Sequence, residues 1–164
     1  MVCTLKRRLL LLLCLCLQGN ALAQLLDDSL SPRRQLDLDL VWKYRTNTGS
    51  LSDTEYNTVT AQAHNVDTRL DTSAYVGSTA RIFLALPIVI RGLANPNSLS
   101  LTWTTGGQFN AGRVTPGNRQ LIFEGAITTP VMRDIINFTF ELDARHLRQT
   151  LRLEPVYEIE IITP

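Results

Sequence analysis

The chain has 164 residues, 45% hydrophobic and 19% charged, a balance that excludes a wholly disordered polymer and allows one sizeable core. Nine glycines and seven prolines exclude collagen-like and low-complexity sequence, and a formal net charge of +1 provides no basic surface of the strength nucleic-acid binding needs. All three cysteines precede residue 17, so any disulfide scaffold beyond that point is excluded too.

Lys6, Arg7 and Arg8 open the chain, the apolar run Leu9 to Leu17 follows, and Ala21-Leu22-Ala23 offers a small-x-small cleavage site. That order predicts a secretory signal peptide over 1–23. The run falls short of the ~20 residues of a membrane-spanning helix, and no later apolar stretch is long enough for one. Leucine precedes both Cys14 and Cys16, which argues against a lipid-modified cysteine, and the leucine-rich run favours the general secretory route over twin-arginine export.

Taking 23 from 164 leaves 141 residues, about one domain. With the three leader cations gone, 13 basic residues face 15 acidic ones, a balance of −2. A cysteine-free domain in an oxidising compartment points to a bacterial envelope or cell-surface protein more than to an animal secreted one. Asn137-Phe138-Thr139 has the form of a glycosylation sequon but falls within an expected strand.

Residues 24–35 read as a polar, flexible lead-in, and 36–164 as the folded domain. Leu36, Leu38, Leu40, Trp42 and Tyr44 alternate with Asp37, Asp39 and Lys43, the period of a half-buried strand. Residues 45–77 have a loop composition, with a short, weak strand conceivable at Tyr56 to Ala63. Thr79 to Ile90 is apolar and β-branched, with Pro87 implying an edge, a bulge or a break.

Leu99, Leu101 and Trp103 then alternate with Ser and Thr. Turns at Gly106-Gly107 and Pro116-Gly117-Asn118 frame Gln108 to Val114, and Arg119 to Thr128 forms the next strand. Ile136, Phe138, Phe140 and Leu142 share a face. Tyr157, Ile159 and Ile161 do so near the end, opposite Glu158 and Glu160. Met132 to Ile136 and Ala144 to Thr150 have room for one helical turn each. Seven or eight short strands predict an all-β fold, a single antiparallel β-sandwich of immunoglobulin-like general architecture.

The chemistry of the chain is sparse. His64 and His146 are the only histidines, so the common His/Cys metal sites lack ligands, and no metal or cofactor is expected. Nucleophile-elbow, zinc-protease and phosphate-loop motifs are absent, and no catalytic residue is assigned. Asp37 and Asp39 lie about 6.6 Å apart along a strand, within the range of paired-carboxylate hydrolysis or a contribution to calcium binding. Alternation explains the same pair as the solvated side of a strand.

Arg145, Arg148 and Arg152, with His146, form the densest basic stretch, suited to anions such as carboxylate or phosphate. Asp143 and Glu154 are placed to neutralise it. Tyr56, Tyr75 and Trp103 are candidates for stacking on a glycan, while Trp42, Phe123, Phe138 and Phe140 sit in core phase. The leading expectation is a non-enzymatic exported domain making protein–protein contacts, as a pilus-like, matrix or adhesin-associated subunit, including self-assembly. A carbohydrate- or ligand-binding module is the alternative, and a hydrolase using Asp37 and Asp39 the remote one.

Overall fold

A computed structural model describes residues 23–32, 41–42 and 58–162, with the backbone alone for 41–42. Among the described residues eleven strands run in chain order: β1 (Gln24–Leu25), β2 (Val41–Trp42), β3 (Thr58–Asp71), β4 (Thr79–Ala85), β5 (Arg91–Leu93), β6 (Leu99–Thr105), β7 (Gly112–Val114), β8 (Arg119–Ala126), β9 (Val131–Asp143), β10 (Leu147–Arg152) and β11 (Val156–Ile161). One sheet has the order β1-β11-β4-β8 and a second β2-β3-β9-β6-β7, while β10 and β5 form a two-stranded sheet. All pairings are antiparallel. The described fold is all-β and sandwich-like, with short 3-10 turns and no α-helix among the described residues.

The two larger sheets share a core because alternation sends their apolar side chains to facing sides. Ile82, Leu84, Ile122 and Ile159 from one sheet meet Leu70, Leu101, Trp103 and Ile136 from the other, each 1% exposed or less. A smaller cluster of Ile90, Leu99 and Leu142, with Leu93 and Leu151 against it, ties the two-stranded sheet to one end of the larger body. On the opposite side of the four-stranded sheet lies an ionic ladder. Arg119 reaches Glu160 at 2.7 Å and Glu158 at 3.1 Å, stacks 4.3 Å over the Phe83 ring, and Arg81 pairs with Glu124 at 3.0 Å.

Three expectations need correction. First, Gln24–Leu25 is not a lead-in: it pairs with Ile159 and Glu158, and Leu26 is buried, its N–H donating to Tyr157 O at 2.8 Å. Polar composition concealed it because an edge strand has only one neighbour and little surface to bury. Second, much of the loop expected over 45–77 is β3, 14 residues long and paired along β9. Third, Met132 to Ile136 has no helical turn and belongs to β9.

Alternation failed in β3 because the strand changes phase. Val59, Ala61 and Ala63 point inward before the bulge at His64–Asn65, and Thr68 and Leu70 after it, while β9 keeps even-numbered residues inward throughout. Three steps on β3, from Ala63 to Val66, match two on β9, from Phe138 to Ile136, so one residue is extra. Asn65 absorbs it at φ 54°, and its N–H donates to Asn137 Oδ1 at 2.8 Å.

Pro87 breaks the segment Thr79 to Ile90 as expected, ending β4 before it. The cleanest alternating segment, 36–44, is described only at Val41–Trp42, which pairs with Thr60 and Val59 inside its own sheet. Asp37, Asp39 and Tyr56, like residues 1–22 of the signal peptide expected over 1–23, lie outside the described residues.

Candidate functional site

Trp103 is sealed in the core. It is 1% exposed, its Nε1–H donates to Asn110 O at 2.9 Å, and its ring packs against Gly112. A ring with no open face cannot stack on a sugar, so its proposed place in a glycan surface is withdrawn. Tyr75 is half-buried in a 3-10 turn, packed against the core, with its hydroxyl donating to Gln24 Oε1 at 2.9 Å. The two aromatics share no exposed surface. Phe138 is buried, and Phe123 and Phe140 are half-buried against the core.

The three arginines lie on and beside β10, without a shared partner among the described residues. Asp143 ends β9 and caps a 3-10 turn at Ala144–His146, accepting from the Arg145 backbone N–H at 3.1 Å. Arg145 folds back onto the same carboxylate, with Nη2 to Oδ2 at 2.7 Å, and this contact holds the Asp143 carboxyl below its usual range. Arg152 pairs with Glu154 at 2.7 Å, an exposed bridge that contributes little to stability. Arg148 points outward from the strand, and among the described residues it has no ion pair.

β10 carries more than charge. Leu147, Arg148, Gln149 and Thr150 are all exposed, and Leu147 is an exposed large apolar side chain. The neighbour of this six-residue strand is the three-residue β5, and only its ends are in register with it, Leu147 with Leu93 and Arg152 with Arg91. Gly92 permits the close approach at the irregularity between them. It sits at φ +94°, and a Cβ there would lie 2.6 Å from Thr150 O. The other edge of β10 has no strand beside it among the described residues.

A signal for this strand was present in the sequence. Leu147, Gln149 and Leu151 alternate with Arg148, Thr150 and Arg152, but four polar residues in six lowered its apparent hydrophobicity. Composition therefore registered a basic cluster where geometry shows an edge.

Two other features flank β10 at this end. The turn between β4 and β5 lifts Ile88 and Val89 into solvent, 66% and 83% exposed, held by Leu86 N–H to Asn118 O at 3.1 Å and Gly117 N–H to Leu86 O at 2.9 Å. An open groove of about 400 Å³ is lined by Asn95, Ser100, Arg113 and His146. Arg113 donates to Ser100 Oγ at 3.0 Å, and Thr58, Glu141 and Arg145 on its wall are already engaged.

Among the described residues no group of three or more His, Cys, Asp or Glu is placed to hold a metal ion, and no helix is long and apolar enough to cross a membrane. His64 is exposed at the bulge midway along the β3–β9 ladder, and His146 is half-buried in the turn beyond the ladder's Asp143 end. Among the described residues, the arrangement offers a strand edge with no strand beside it, an exposed leucine and an outward cation. No protein-family model, no curated protein and no solved structure matches the chain.

Proposed function

We propose that this chain is an exported, non-enzymatic domain of immunoglobulin-like general architecture that works by protein–protein contact in the bacterial envelope or at the cell surface. Its contact element is the free edge of β10, which accepts a strand from a partner. The observation that carries this reading is the mismatch between a six-residue exposed strand and a three-residue neighbour. Unpaired strand edges present a row of main-chain donors and acceptors, and strand addition satisfies them. The leader composition and the absence of cysteine after residue 16 support export.

A photo-cross-linking side chain placed at Gln149 in the exported protein tests it. A cross-linked adduct from Gln149, absent from the same probe at Glu124 on the ionic ladder, is the expected result. Equal labelling at both positions, or none at Gln149, overturns strand addition at β10.

A further inference from the structure

Resting on the strand-addition reading, we propose that the partner is a second copy of this chain, joined β10 to β10 in antiparallel fashion about a twofold axis at Gln149.

The register follows from the side chains. Centring the pair on Gln149 sets Leu147 opposite Leu151 of the second copy, Gln149 opposite Gln149, and Arg148 opposite Thr150. The leucines fall on one face, continuous with the Leu93, Leu151 and Leu153 cluster, and no arginine opposes another. Moving the centre to Thr150 places Arg148 directly opposite Arg152, a like-charge pair that disfavours it. Moving it half a step sets each leucine against a polar residue, Arg, Thr or His, because a one-residue slip exchanges the faces of a strand.

Sheet size argues the same way. Tied to the larger body by its apolar cluster, this sheet still has two strands, below the usual range of about 4–6. Self-pairing turns β5-β10 into a four-stranded sheet, β5-β10-β10-β5, and covers Leu147, which is 38% exposed in the single chain. A twofold contact needs only one self-complementary patch. It uses Arg148 and Arg152 as register selectors, since they exclude the competing alignment.

Cysteine cross-linking in a background with Cys3, Cys14 and Cys16 replaced by serine reads the register directly. In the Gln149-centred pair the two Gln149 Cα atoms are about 4.5–5.5 Å apart, within disulfide reach, while the two Thr150 residues are diagonal and beyond it. Gln149→Cys is therefore expected to give a disulfide dimer on mild oxidation and Thr150→Cys little. Sedimentation of the unmodified protein is expected to show a concentration-dependent dimer, with Leu147→Thr raising its dissociation constant about tenfold through two lost leucine contacts.

A Thr150→Cys dimer without a Gln149→Cys dimer overturns the register. A strict monomer in sedimentation overturns self-pairing. Gln149→Pro and Thr150→Pro then separate that failure from failure of the underlying reading, because one of two adjacent residues directs its N–H to the free edge. If a photo-adduct with another protein, formed from a probe at exposed Arg148, survives in the parent and is lost in either proline variant, strand addition stands with a different partner. If neither variant changes the adduct, both readings fall.

Discussion

Asp134 is the residue whose environment decides most for its size. It is a carboxylate 5% exposed, and it is satisfied by backbone rather than by a cation. Oδ2 accepts from Phe109 N–H at 2.8 Å and Oδ1 from Ile135 N–H at 2.7 Å. This pins the turn after β6, whose Asn110 carbonyl in turn accepts from Trp103. Gly107 is required beside it, since a Cβ there would lie 2.6 Å from Asp134 Oδ1. Removing the carboxylate strands the buried Phe109 donor, which costs about 1–3 kcal/mol, and loosens the cover of Trp103 as well. Asp134→Ala is therefore expected to lose about 2–3 kcal/mol in urea unfolding, and Asp134→Asn less, because its amide oxygen still accepts one bond. Equal losses for the two would mean that the hydrogen bonds contribute little there. The sequence marked Asp134 in no way, since a carboxylate that caps a distant turn leaves no local spacing.

Among the elements, β3 shows best why strand periodicity is an incomplete guide. Its inward residues fit the period of two on either side of Asn65, and only the switch at that residue breaks the pattern. β6 and β11 carry no comparable switch, and their inward residues were legible from alternation, whereas β8 has one residue extra against β4 at Ile122 and showed no such pattern. β10 was hidden for a different reason: it buries almost nothing, so hydrophobicity has little to report. A prediction follows for the bulge. Asn65 holds φ 54°, where asparagine and glycine are tolerated and β-branched residues are strained. Asn65→Val should lower stability by about 1–3 kcal/mol and Asn65→Gly should stay near neutral, as read by paired thermal melts. If valine proves as stable as glycine, the bulge is free to relocate along β3.

At the scale of the molecule, the two large sheets are joined by apolar packing into which a buried polar contact is set. Tyr157 of β11 is 6% exposed, and its hydroxyl bonds Thr68 of β3, 3% exposed, across the interface. Burial pushes the phenol up to about 12, with the Thr68 bond opposing it. The unfolded chain releases this proton near the ordinary tyrosine value, about 10, and the folded one only near 12. Above pH 10 the native state therefore binds more protons than the unfolded state, and stability falls with rising pH. The contribution is complete below about pH 10 and is lost through pH 12, of the order of 2–3 kcal/mol. Tyr157→Phe should flatten that part of the stability curve, measured by denaturant unfolding at pH 9 and pH 11. An unchanged slope would assign the alkaline loss to other groups.

The pairing of β1 with β11 has a kinetic meaning. Gln24 meets Ile159, so the first described strand is closed by the last, across 135 residues of chain. A growing or threading chain has no lasting partner for β1 until β11 arrives, and loop closure of that length is an entropic cost met before any contact rewards it. The β1 edge of the four-stranded sheet therefore closes only after β11 has been made, and folding belongs to the slow, non-local regime of β proteins.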